Sequence, residues 1–268
     1  MEEGRTIGVI AIKGGVGKTS VVSALGAALA NEFNKKVLLI DANFSAPNLA
    51  LHFGIVNPEK TIHHVLNNAS ETAEAIHKTE YGFDVMPGSL IADKIDPFKL
   101  KNKIKNLKKE YDIILLDSSP TLNEEILATM VASDNLVVVT TPDYPTLSAT
   151  LRATMIARQR QTPIIGIVLN KTRNKRFELS VDEIEKATGI KVLAVVPDDI
   201  RVLEALAKTV PSTLYRQKSD STIEYKKLAA TLIGEHYVDR RLKTKLKKFF
   251  WPSIKKQDIN RTIINKQI

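Results

Sequence analysis

The sequence predicts an α/β fold, a doubly wound and mainly parallel sheet of about seven strands with helices on both faces. Three observations carry this. Short, continuous apolar runs alternate with helical patterns along the 268 residues, as expected of strands buried on both faces. A glycine-rich turn lies between the first apolar run and an alanine-rich helical pattern. Two of the runs end in an aspartate, which puts carboxylates at the carboxyl ends of strands, where open α/β sheets bind ligands.

The candidate strands are 6–12, 36–41, 83–86, 112–117, 135–140, 164–170 and 191–196. The first, TIGVIAI, runs into KGGVGKTS and then into the helical pattern SALGAALANEF. That order is strand, glycine loop, helix. Glycines let successive backbone N–H groups converge on one concavity that suits phosphate oxygens, and the following helix adds its positive N-terminus. Gly14, Gly15, Val16, Gly17, Lys18, Thr19 and Ser20 are therefore the candidate ATP-binding loop. Lys18 is expected to reach the outer phosphates and the Thr19 hydroxyl to ligate Mg²⁺. Ile12 stands where the strict G-x-x-x-x-G-K-[ST] pattern has its first glycine, and a second lysine, Lys13, appears beside it.

The runs VLLID and IILLD end at Asp41 and Asp117. The second has the form of a strand that delivers one carboxylate near Mg²⁺ beside bound phosphates. Asp41, Asp117 and Thr19 form the candidate metal set. Farther along, the run ending at Asn170 continues as Asn-Lys-Thr-Arg. A guanine-binding N-K-x-D motif needs an acceptor at its fourth position, and Arg173 cannot accept, so adenine is the expected base.

KGGVGKTS resembles the deviant phosphate loop of the MinD/ParA ATPases, and the resemblance extends over roughly residues 5–237. It implies a switch that is monomeric without ATP and a nucleotide-sandwich homodimer with it, with Lys13 reaching the nucleotide of the partner subunit. The segment after Asp41, DANFSAPNLALHFG, occupies the place of switch I. Many relatives have Asp-x-Asp here, and the second Asp is credited with positioning the attacking water. This chain has Asp41-Ala42-Asn43. An amide orients water without taking its proton, so Asn43 is expected to support slow hydrolysis. Residues 117–125 occupy switch II, where Ser118 and Ser119 either sense the γ-phosphate, line the dimer face or simply turn the chain. The resemblance puts the Asn170 side chain on the adenine, flanked by Pro197 and Asp198, and the helix of 146–160 on the dimer face.

Other segments read plainly. His63 and His64 are adjacent and face different ways on a helix, a poor metal pair, so surface histidines are expected. Residues 96–111 are expected to form a lysine-rich amphipathic helix with Leu100, Ile104 and Leu107 on one face. There are no cysteines, which excludes disulfides, thiolate zinc sites and cysteine-held iron–sulfur clusters. No signal peptide or apolar run long enough to span a bilayer is evident. The expected location is cytoplasmic, peripheral on the inner face of the cell membrane.

Residues 1–237 are expected to form the ATPase domain and 238–268 a basic tail. The stretch 239–257 holds eight basic residues against Asp239 alone, most of the chain's formal charge of +9. Val238, Leu242, Leu246, Phe249 and Phe250 share one helical face, and Trp251 follows. A basic amphipathic helix ending in Phe-Phe-Trp reads as an interfacial anchor for an anionic membrane. MinD proteins carry such a helix here. Two weak anchors in an ATP-bound dimer would bind by avidity. The expected function is a MinD-like ATPase that cycles on and off the membrane to position division or another assembly, slow alone and stimulated by an activating protein. The alternatives are a ParA-like partitioning ATPase that binds DNA non-specifically, a slow or inactive ATP-binding scaffold, and a tail that packs on the body.

Overall fold

The computed structural model describes residues 3–91, 94–241 and 254–266. Its centre is β1 (Arg5–Ile10), and α1 (Lys18–Phe33) follows the glycine loop. Then come β2 (Val37–Ala42), α2 (Ile62–Leu66), β3 (His77–Lys78), β4 (Asp84–Met86), α3 (Leu100–Ile104) and β5 (Ile113–Ser118). The second half holds α4 (Glu124–Ala132), β6 (Asn135–Thr140), α5 (Tyr144–Gln159), β7 (Ile164–Thr172), α6 (Val181–Thr188) and β8 (Val192–Pro197). Helices α7 (Ile200–Ala207), α8 (Ser212–Tyr215), α9 (Asp220–Leu232) and α10 (Lys256–Ile264) complete the described chain.

The sheet has eight strands in the order β3-β4-β2-β5-β1-β6-β7-β8. All pairs are parallel except β3 with β4. The eighth strand is β3, two residues on an edge, too short for any periodicity to signal. Every residue of β2 and β5 is buried, so their continuous apolar runs reflect helices on both faces. The chain leaves β1 toward one side of the sheet for β2 and returns to the other side at β6. That reversal opens a crevice at the carboxyl end of β1, the place where such sheets bind ligands. The β2–β5 register pairs Asp41 directly with Asp117, and Val9 of β1 lies opposite Asp117.

Three expectations are corrected. Residues 96–111 are not one helix: a 3₁₀ turn at Pro97–Lys99, α3 and a second 3₁₀ turn at Lys105–Lys109 replace it. The inward face holds, with Leu100, Ile104 and Leu107 all buried. Pro97 stands at the first position of the opening turn, where proline is tolerated, and the like-charged lysines at i, i+4 spacing weaken a long regular helix. The histidine pair is not a surface pair. His63 is 4% exposed, its Nε2–H donates to the Phe44 carbonyl at 3.0 Å and its Nδ1 accepts from the Ser89 N–H at 3.0 Å. His64 instead closes a capping box with Thr61 at the start of α2. Helix α5 begins two residues before the expected position, because Asp143 caps it by accepting from the Thr146 N–H at 2.9 Å.

The C-terminal region returns to the body. Strand β8 is a sheet edge, whose open backbone groups need cover. Asn260 Nδ2 donates to the Val192 carbonyl at 2.8 Å and Arg261 Nη1 to the Leu193 carbonyl at 2.6 Å. Arg261 also pairs with Glu224 of α9 at 3.1 Å. Asn260 and Arg261 are 1% and 6% exposed. Before this return, Arg241 is held by Asp239, by Asp220 and by the Lys218 carbonyl. The expected membrane residues Leu242, Leu246, Phe249, Phe250 and Trp251 lie outside the described residues. Among the described residues no helix is long and apolar enough to cross a membrane.

Candidate functional site

The glycine loop leaves β1 and delivers Gly17 as the N-cap of α1 at φ 92°, a conformation that only glycine adopts without strain. A side chain there would also strike the Asn170 amide at 2.5 Å. Gly15, at φ 77°, has open space where a Cβ would stand, so its positive φ rather than crowding calls for glycine. Val16 is buried and anchors the loop in the core. Lys18 is 7% exposed. Burial lowers its pKa, and the charge of Asp117 works against that shift.

Two strands bring carboxylates beside this loop, where Asp117 interacts with Lys18 and Thr19. Asp41 is fully buried and accepts three backbone N–H bonds, from Asn43 at 3.1 Å and from Asn48 and Leu49 at 2.9 Å each. Asp117 is equally buried, but its Oδ1 has no partner among the described residues. Burial pushes both carboxyls upward. The charge of Asp117 adds to the effect on Asp41, and backbone N–H groups oppose it. For Asp117 the Thr19 hydroxyl and the Lys18 charge oppose it. Thr19 Oγ1 also donates to Asn48 Oδ1 at 3.3 Å. A buried unpartnered carboxylate oxygen beside a raised partner and a hydroxyl is a costly arrangement without a cation. These donors fit Mg²⁺ with a nucleoside triphosphate: Thr19 and Asp117 would hold the metal, and the loop from Gly14 to Ser20 the phosphates.

Lys13 does not point into its own loop. Its ammonium donates to Asp143 Oδ1 at 3.2 Å and Thr146 Oγ1 at 2.7 Å, at the start of α5. Burial alone would raise the Asp143 carboxyl. Hydrogen bonds from Thr141, Thr146 and Lys13 reverse this and hold it at about 2. Asn43 is almost buried; its Nδ2 donates to the Ala46 carbonyl. Its Oδ1 is buried without a partner among the described residues. The turn is held from outside by Glu125 of α4, which accepts from Ser45 N–H at 3.0 Å and Ser45 Oγ at 3.3 Å.

Of the residues expected around the base, Asn170 is the one that touches the loop. Asn170 Nδ2 donates to the Val16 carbonyl at 2.8 Å, and the neighbouring Lys171 ammonium to the Gly15 carbonyl at 2.7 Å. Asp198 donates its N–H to the Thr172 carbonyl at 2.9 Å, and its carboxylate pairs with Arg173 at 2.8 Å. Asn170 therefore meets the loop directly, whereas Pro197 and Asp198 meet Thr172 and Arg173 just beyond it. Ser118 and Ser119 are engaged locally: Ser118 Oγ donates to the Ser119 carbonyl, and Ser119 Oγ meets Thr121 and Asn123. Sequence reading misses Asn48, Glu125, Asp143 and Lys171. Only Asp143 carries a local signal, an Asp followed by Pro145 and Thr146 at a helix start.

Comparison with known proteins agrees with this geometry. A family profile described as an AAA domain matches residues 4–163. An uncharacterized ATP-binding protein of Methanocaldococcus jannaschii is 33% identical over 248 residues, 91% of this chain and 94% of its own length. The septum site-determining protein MinD of Thermotoga maritima is 30% identical over 243 residues, 87% of this chain and 89% of its own. The solved cell division ATPase MinD of Pyrococcus furiosus superposes with a TM-score of 0.79 at 31% identity, covering 84% of this chain and 97% of that one. MinD of Pyrococcus horikoshii, solved with Mg-ADP, gives 0.80 at 29% identity, covering 85% and 95%. A sheet wound around a two-lysine phosphate loop, and matched along nearly all of its length by these proteins, places the chain in the MinD/ParA family of P-loop ATPases.

Proposed function

We propose that this chain is an ATP-driven dimerising switch of the MinD type, slow in isolation, that cycles on and off an anionic membrane and is accelerated by a partner protein. The observation that carries the reading is the position of Lys13. Its ammonium is held by Asp143 and Thr146 at one wall of the crevice, outside the loop that it precedes. Exchanging Asp143 for the phosphates of a second subunit's ATP would couple nucleotide binding to association. Mg²⁺ would neutralise developing charge between the β- and γ-phosphates. The chain's own part is positioning: Lys18 on the outer phosphates, Asp41 ordering the turn 43–49, and Asn43 Oδ1 accepting a hydrogen bond from the attacking water.

The basic stretch that begins at Arg240 supplies the attachment in this reading. The test is co-sedimentation of the full chain with anionic vesicles in ATP and in ADP, at low and high salt. Phe249→Glu with Phe250→Glu serves as the comparison, because deletion after Tyr237 would also remove α10 from β8. Pelleting only with ATP, lost in the double variant, supports the reading. Salt-labile binding to DNA in place of vesicles favours the partitioning alternative. ATP binding without turnover, with and without vesicles, supports the inactive scaffold.

A further inference from the structure

Asn43 stands where an acidic residue would otherwise be credited with the water, and its own contacts leave it one usable atom. Its N–H is spent on Asp41 and its Nδ2 on Ala46, which leaves Oδ1 buried without a partner among the described residues. The direction of that oxygen depends on the turn from Asn43 to Ala46. Asp41 holds the two ends of the loop, at Asn43 and at Asn48 and Leu49. Its middle is held from outside by two side chains. His63 takes the Phe44 carbonyl at 3.0 Å, and Glu125 takes both the N–H and the hydroxyl of Ser45. Glu125 sits in the first turn of α4, the helix that follows the loop from Asp117, and is itself 9% exposed. Its grip on Ser45 spans 80 positions of sequence and ties the loop after β2 to the segment after β5.

We infer that Glu125 is a positioning residue for ATP hydrolysis, acting through Ser45 to fix the orientation of the Asn43 carbonyl oxygen. The inference rests on the ATPase reading above. A carboxylate at position 43 would present two equivalent oxygens and tolerate rotation of its group. An amide presents one acceptor and one donor, and a wrong rotation turns an N–H toward the water. An external clamp on the turn is therefore worth more with Asn43 than it would be with an acid, since small misplacements of a positioning group cost large factors in rate.

The test is a kinetic cycle on the full chain with Mg-ATP, with and without anionic vesicles, comparing wild type, Glu125→Gln, Asn43→Ala and the double variant. Glu125→Gln is expected to lower kcat about tenfold with KM for ATP changed less than about twofold. Ser45→Ala, which keeps its N–H bond to Glu125, is expected to lower kcat about two- to threefold. The double variant should be no slower than Asn43→Ala alone, because the clamp has nothing left to orient. A merely structural glutamate would give losses that multiply, or a parallel fall in nucleotide affinity, and either result overturns the inference. Wild-type kcat in Glu125→Gln overturns it as well. Wild-type protein that binds Mg-ATP and turns none over overturns both this inference and the ATPase reading, whereas turnover in wild type with an unaffected Glu125→Gln sinks this inference alone.

Discussion

Strands β2 and β5 end alike and serve differently. Both are fully buried strands with an aspartate as the penultimate residue, and their register sets Asp41 directly opposite Asp117. Asp41 is saturated with three backbone N–H groups from its own loop. Asp117 keeps one buried oxygen without a partner among the described residues. The same signature thus yields one carboxylate that organises a loop and one that is open to a cation. The difference comes from the loop attached to each strand. After Asp41 the chain folds back to offer its N–H groups, whereas after Asp117 the hydroxyls of Ser118 and Ser119 turn to local partners.

The largest effect should come from the open carboxylate. Asp117→Asn is expected to weaken Mg-dependent ATP binding on the order of a hundredfold while the nucleotide-free protein melts no lower than wild type, since a buried charge has been removed. Equal magnesium dependence in the variant, read by fluorescent-nucleotide titration, would break the comparison. Asp41→Ala should do the reverse. It leaves two buried N–H groups and a half-buried one without their acceptor and costs the nucleotide-free protein about 2 kcal/mol or more in denaturant unfolding. A variant as stable as wild type would show that the loop orders itself without Asp41.

A smaller signal separates the pair by protons. Burial raises both carboxyls, so the empty site keeps protons that exposed carboxyls would have lost. Their contribution to stability is complete below the ordinary carboxylate pKa and is lost as pH rises through the raised values. Mg-ATP should expel on the order of one proton near neutral pH and flatten that slope, measurable by calorimetry in buffers of different ionisation heat. Proton-neutral binding would mean that both groups are already ionised. The smallest effect is expected for Asn48→Ala. Asp41 uses the backbone N–H of Asn48, and among the described residues the Asn48 side chain makes only the 3.3 Å bond with Thr19. Stability should move within about 0.5 kcal/mol, and a larger loss would show that this link holds the loop.

The phosphate loop and both terminal aspartates are legible in the sequence because their determinants are local. A buried parallel strand writes itself as an unbroken apolar run, and a loop that must bring backbone close to phosphate writes itself in glycine. The partners of those residues are not legible. Lys13 meets Asp143 across 130 positions and Ser45 meets Glu125 across 80, and no periodicity reports a contact made only when the sheet closes. The burial of His63 escapes the sequence for the same reason. It is created by Phe44 and Ser89, which arrive from separate loops. In residues 96–111 the apolar spacing is right and the continuity wrong, because spacing records which side chains face inward and says little about whether charged neighbours sustain a long helix.

The cover on β8 also imposes an order in time. Strand β8 can join β7 as soon as residue 197 has been made, but Asn260 and Arg261, which satisfy its outer carbonyls, come much later in the chain. At roughly 5–20 residues per second, the nascent protein carries a bare sheet edge for several seconds before α10 reaches it. During that interval the growing chain is most exposed to strand pairing with a neighbour. Variants that loosen α10 should therefore lower the yield of folded protein made in cells more than they lower the melting temperature of the protein that survives.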